Sequence, residues 1–148
     1  MIIKKEAIIL KDIETVFDIV NRVNLYKNFV PYCTESKILS EDDKFMEAKL
    51  DFNLKGLSTS FTTRNEIKKN QSINMKLIDG PFKFLDGVWD FKSVDGKTII
   101  YLHINYEAEN KIVEYTVGKS LEKITNYLVK AFIDESMKKK WQLISKLK

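Results

Sequence analysis

Asp79-Gly80-Pro81-Phe82-Lys83-Phe84-Leu85-Asp86-Gly87-Val88-Trp89-Asp90-Phe91 begins with a turn and runs into a strand. Its alternate residues Leu85, Gly87, Trp89 and Phe91 share one face, because side chains in a strand repeat every second position. Large rings interrupted by a glycine suit a concave wall that another group approaches closely. The same period continues on both sides. Downstream, Asp95-Gly96 is a tight-hairpin pair joining Phe82–Val94 to Lys97–Ala108. Upstream, Ser72–Ile78 alternates through Ile73, Met75 and Leu77, and Leu57–Ile67 precedes it. Before the Lys55-Gly56 turn, Met46, Ala48, Leu50, Phe52 and Leu54 alternate strictly with Glu47, Lys49, Asp51 and Asn53. That pattern is a half-buried strand with one wet face. Such short connections predict an antiparallel meander.

Ile2–Leu10 is rich in aliphatic and β-branched residues and reads as a first strand. Asp12 offers a helix N-cap, followed by Val16, Ile19, Val20 and Val23 in one apolar stripe. Asn24–Val30 reads as a second short helix stopped by Pro31. From about Ile112 the period becomes helical through Val113, Val117, Leu121, Ile124, Leu128, Phe132, Trp141 and Ile144. The apolar face of this long helix needs a partner, and the meander's apolar face is the one surface large enough. The expected fold is therefore α+β, in one domain over residues 1–148. A curved antiparallel sheet of about seven strands wraps a long C-terminal helix, with two short helices after the first strand. A curved sheet and a rod cannot touch everywhere, so a cavity of roughly 300–1,000 Å³ is expected between them.

Composition narrows the setting. A chain of 148 residues is long enough to bury one core. No apolar run approaches the roughly 18 residues of a membrane span. Met1–Glu6 lacks the apolar core of a signal peptide, and the lone Cys33 excludes an internal disulfide. A cytoplasmic location is expected. The net charge of +4 is unevenly spread. From Thr116 to Lys148 eight lysines face three acids, a balance of +5, which leaves −1 for the rest. Such a helix can be a solvated exterior or can face anionic lipid or RNA phosphate.

Few residues suggest chemistry. His103, the one histidine, alternates out of the apolar Ile100, Leu102, Ile104 set. One His and one Cys assemble neither a zinc site nor a nucleophile–base relay. Asp86 and Asp90 lie on the face opposite Trp89. No catalytic residue, metal ligand or cofactor site is assigned, and the expected role is not enzymatic. Arg64 falls on the face away from Phe61 and Thr63, which predicts a surface salt bridge or partner contact. With no cation read beside it, Cys33 is expected to be a buried, inert thiol.

Four stretches carry a resemblance. They are Tyr26-x-x-Phe29-Val30-Pro31-x-Cys33, Ser60-Phe61-Thr62-Thr63-Arg64-Asn65, Asp79-Gly80-Pro81-Phe82, and Leu85-x-Gly87-x-Trp89-x-Phe91. Together, over about Ile2 to Trp141, they resemble the START-like coenzyme Q-binding proteins, and most of all the bacterial branch of RatA-type ribosome-association toxins. The wider superfamily includes polyketide cyclases and lipid-transport proteins. The resemblance implies a helix-grip fold and a hydrophobic bound ligand such as ubiquinone, carried in support of respiration. The toxin branch implies instead binding to the large ribosomal subunit and a block of subunit association.

The ligand is expected to be a quinone or lipid, held by Phe52, Phe61, Trp89, Phe91, Val117, Leu121 and Leu128, with Phe29, Val30 and Pro31 as a lid. Rings stack on flat head groups, and an apolar tail gains about 25 cal/mol for each Å² buried. The basic helix would make a peripheral contact with the inner membrane. In the toxin reading, Lys138, Lys139 and Lys140 would meet ribosomal RNA instead. The sequence assigns no oligomeric state.

Overall fold

The computed structural model describes residues 1–147, with side chains described through Lys138. The expectations for Trp141, Ile144, Lys139, Lys140, Lys146 and Lys148 concern side chains outside the described residues. Strands form where the alternation places them: β1 (Ile2–Ile9), β2 (Cys33–Glu41), β3 (Phe45–Leu54), β4 (Leu57–Lys68), β5 (Ser72–Asp79), β6 (Phe82–Val94) and β7 (Lys97–Ala108). They make one seven-stranded sheet in the order β1-β7-β6-β5-β4-β3-β2. Every pair is antiparallel, including β1 with β7.

Turn chemistry sets the register. Lys55 and Gly56 adopt φ of 50° and 85°, and Asp95 and Gly96 adopt 51° and 76°. Two successive positive φ values make the two-residue turn whose twist matches that of its flanking strands. The sheet bends at bulges, between Cys33 and Glu35 and between Ile38 and Ser40 in β2, at Ile78 in β5 opposite Thr62 and Thr63, and at Phe82/Phe84 in β6. An extra residue on one strand increases local twist, so a chain with five glycines still curls.

Between β1 and β2 lie α1 (Ile13–Asn21), a 3-10 turn (Val23–Leu25) and α2 (Tyr26–Phe29). Asp12 caps α1 as expected, its carboxylate accepting from the Thr15 backbone N–H at 3.1 Å. Val16, Phe17, Ile19 and Val20 bury one face of α1. Val30 ends α2 in an extended conformation ahead of Pro31.

The last helix is not continuous. A short α3 (Lys111–Val113) leads into a π-turn (Glu114–Gly118) before α4 (Lys119–Leu147). Asn110 caps the start, its side-chain oxygen accepting from the Val113 N–H at 2.9 Å. Thr116 Oγ1 donates to the Ile112 carbonyl at 2.8 Å, and Ser120 Oγ to the Thr116 carbonyl at 3.2 Å. Hydroxyls that bond back to the preceding turn loosen the backbone ladder. The widened turn leaves Val117 buried while Ile112 and Tyr115 are 76% and 70% exposed. Among the described residues no helix is long and apolar enough to cross a membrane.

α4 is seated by Phe132, which is fully buried. Its ring lies 5.4 Å from Trp89, 5.3 Å from Tyr26 and 6.3 Å from Phe29 between centroids. Phe132→Ala should therefore cost about 3–5 kcal/mol of stability, read as a lower urea midpoint at unchanged slope.

Candidate ligand-binding cavity

North of the Phe132 seat, in the direction of the α4 N-terminus, helix and sheet separate and leave a cavity of about 90 Å³. The sheet lines it with Phe61, Ile73, Met75, Leu85, Trp89, Leu102 and Ile104; α4 adds Leu121, Ile124 and Leu128. Val20, Val23 and Tyr26 close a third side. A larger groove of about 690 Å³ beside the π-turn is open to solvent and rimmed by Lys111, Glu114, Lys119 and Glu122. Enclosure by apolar walls makes the smaller space the candidate site.

Its volume falls below the roughly 300–1,000 Å³ expected of a ligand cleft. Side chains fill the difference. A Cβ placed on Gly87 would come within 2.9 Å of the Met75 terminal methyl. The group that approaches Gly87 closely is thus the chain's own Met75, lying across the strand as a plug.

Of the residues expected to hold a ligand, Phe61, Trp89, Leu121 and Leu128 come together on the cavity wall. The others lie elsewhere. Phe91 shares the face of Trp89, but two residues on, the strand has passed from beneath α4 to beneath α1. Its ring meets Phe17 edge-on at 4.9 Å. Phe52 is buried core in β3, paired across the ladder with Thr59. Val117 is buried in the π-turn, short of the wall. Phe29 is half-buried against Tyr26 and Phe132, Val30 is buried, and Pro31 is exposed. The expected lid is packed against the middle of α4, where Tyr32 meets Tyr127 at 5.0 Å.

Most of the lining residues are not among those the sequence assigns to a ligand, and four of the omissions are instructive. Met75 was read as an ordinary alternating position. Tyr26 was visible in its motif but not assigned to the wall. Thr63 and Asn65 follow Phe61 at a period of two, so parity alone puts them inside. Their polarity concealed them. Thr63 Oγ1 donates to Asn65 Oδ1 at 2.8 Å, and Asn65 is 4% exposed.

Among the described residues no carboxylate, histidine, lysine or arginine lines the cavity. Tyr26 is the one ionisable group on the wall among the described residues. Burial, helped by the neighbouring Cys33, pushes its phenol far above the ordinary range, and the hydroxyl donates to the Val20 carbonyl. Cys33 is buried, donates to the Glu35 carbonyl at 3.4 Å, and is pushed up to about 11, chiefly by desolvation. A thiol so protonated is a poor nucleophile at neutral pH. Outside the cavity, His103 is exposed. Arg64 pairs with Glu47 at 3.4 Å and lies over the Phe45 ring at 4.3 Å, a surface role.

Comparison with known proteins adds four likenesses. The sequence profile of the family described as polyketide cyclase/dehydrase and lipid transport matches residues 11–133. The ribosome association toxin RatA of Escherichia coli K12 is 37% identical over 131 residues, covering 88% of this chain and 83% of that protein. Coenzyme Q-binding protein COQ10, mitochondrial, from Dictyostelium discoideum is 26% identical over 123 residues, covering 77% of this chain and 60% of that one. The crystal structure of the ZhuI aromatase/cyclase from Streptomyces sp. R1128 superposes with a TM-score of 0.85 at 14% identity, covering 93% of each chain. At that identity it speaks for the fold alone, a helix-grip arrangement.

The Met75 plug is testable directly. Gly87→Ala should alter stability by less than about 1.5 kcal/mol, because the atom it crowds is the free end of a flexible side chain. In a carbon-13 methyl spectrum the Met75 signal should move more than those of Met1, Met46 and Met137.

Proposed function

The chain belongs to the polyketide cyclase/dehydrase and lipid-transport family, and from that premise we propose that it binds a hydrophobic small molecule between sheet and helix without transforming it. The observation that carries this reading is the chemistry of the wall. It is apolar and aromatic, and its one ionisable group is a tyrosine committed to a backbone carbonyl. General acid–base work needs a group poised near the operating pH, and nothing on this wall meets that requirement.

A prenylated quinone such as ubiquinone is the ligand we favour, and the distant relative named as coenzyme Q-binding supports it. The closed cavity, about 90 Å³, is smaller than the engineered apolar cavity of roughly 150 Å³ that takes up benzene. Ring entry must therefore displace Met75 and spread the leucines of α4. An unbranched thioether moves at little cost. The long tail would leave past the N-terminal part of α4. Exposed Ile112 and Tyr115, beside Lys111 and Lys119, would meet the lipid surface there.

The test is mass spectrometry of the organic extract of natively purified protein. A prenylated quinone or lipid near one per chain is the expected result. An empty extract, together with tryptophan emission that ignores added quinone, would overturn the proposal.

A second reading follows from the relatives named ribosome association toxin, 37% identical over most of this chain. It uses the outer surface, with exposed Lys123 and Lys138 facing ribosomal RNA. Part of the basic helix is already neutralised, since Lys130 pairs with Asp134 at 3.1 Å. Sucrose gradients after overexpression distinguish the readings. Loss of the joined ribosome peak supports the second, and an unchanged profile removes it.

A further inference from the structure

Asn65 is a buried amide in an apolar hollow. Its Oδ1 accepts from Thr63 at 2.8 Å, while among the described residues no group accepts from its Nδ2. Opposite the pair the neighbouring strand is irregular: Thr62 faces Asp79 and Thr63 faces Leu77, so the extra residue Ile78 of β5 breaks the ladder beside Thr63. Among the described residues the side-chain polar atom sealed in protein without a partner is Thr59 Oγ1, so the Asn65 amide is open to the hollow, where an acceptor carried by a ligand can reach it. Asn21 from α1 and Thr125 from α4 also line the hollow, and the Thr125 hydroxyl already donates to the Glu122 carbonyl at 2.7 Å and has no further proton to offer.

We propose that the Thr63–Asn65 pair is a specificity device that reads a carbonyl oxygen on an uncharged ring, drawing that end of the ligand toward β4 and leaving its apolar remainder against α4. This rests on the cavity being a ligand site, as proposed above, and narrows the ligand class. With no cation on the wall, a carboxylate or phosphate head would be buried unpaired, which is far costlier than burying a neutral carbonyl. A plain hydrocarbon would leave the Asn65 donor unmet. The class that satisfies both limits is a neutral cyclic ketone or quinone.

The experiment compares two probes of nearly one shape, tetramethyl-1,4-benzoquinone and 1,2,4,5-tetramethylbenzene, titrated calorimetrically into the full chain and into N65L. From wild type to N65L, the ratio of quinone to hydrocarbon affinity should fall about tenfold, the scale of one hydrogen bond to a buried group. Hydrocarbon binding should be unchanged or tighter. Wild-type protein alone provides a second readout that does not depend on the variant folding. The Asn65 side-chain amide protons should move downfield with the quinone and stay in place with the hydrocarbon. If both probes bind, with an unchanged ratio and an unmoved amide, the Asn65 assignment is overturned and the cavity reading survives. If neither probe binds, both fall.

Discussion

A sheet of seven long strands with one apolar face must cover that face, and α4 is the one helix long enough to do so. Everything else in the molecule adjusts to this pairing of a straight rod with a bent surface. Bulges in β2, β5 and β6 curl the sheet. The rod then touches it firmly only where large rings bridge the distance. Phe132 is that bridge, held by Trp89 from the sheet and by Tyr26 from the short helices. Toward the N-terminus of α4 the bridging residues become Leu121, Ile124 and Leu128, which are too small to close the gap. The hollow is thus the geometric remainder of the tight seat.

The remainder's chemistry separates this chain from other uses of the same architecture. A cyclase/aromatase shares the fold at a TM-score of 0.85, yet a fold hosts many functions and the site decides among them. Here the site offers largely apolar walls, one tied phenol, the hydroxyl–amide pair of Thr63 and Asn65, and the side chains of Asn21 and Thr125. That composition can recognise and orient a neutral molecule. Among the described residues its one ionisable group is Tyr26, whose phenol burial pushes far up. Outside the cavity, Cys33 is buried with its thiol pushed up by desolvation, while His103 and Arg64 lie on the outer face.

Much of this was legible in the chain because a period of two needs no tertiary information. Alternation from Met46 to Leu54, the Lys55-Gly56 and Asp95-Gly96 turns, and the Asp12 cap each led to the right element. What escaped depends on distance rather than pattern. Phe91 and Trp89 share a face, and only the lateral positions of α1 and α4 decide that one packs under a helix and the other beside a void. The π-turn at Glu114–Gly118 comes from hydroxyls bonding backward, a detail that apolar spacing does not record. Asn65 sat at an inward position all along. Its polarity led the eye away from it, although a polar residue at an inward position deserves more notice than another leucine there.

The central claim is that an apolar void persists between α4 and the sheet, and a crystal pressurised with xenon tests it most directly. The account predicts a xenon atom enclosed by Met75, Trp89 and Leu121. Xenon found only in surface grooves, with those three side chains in continuous contact, would contradict it.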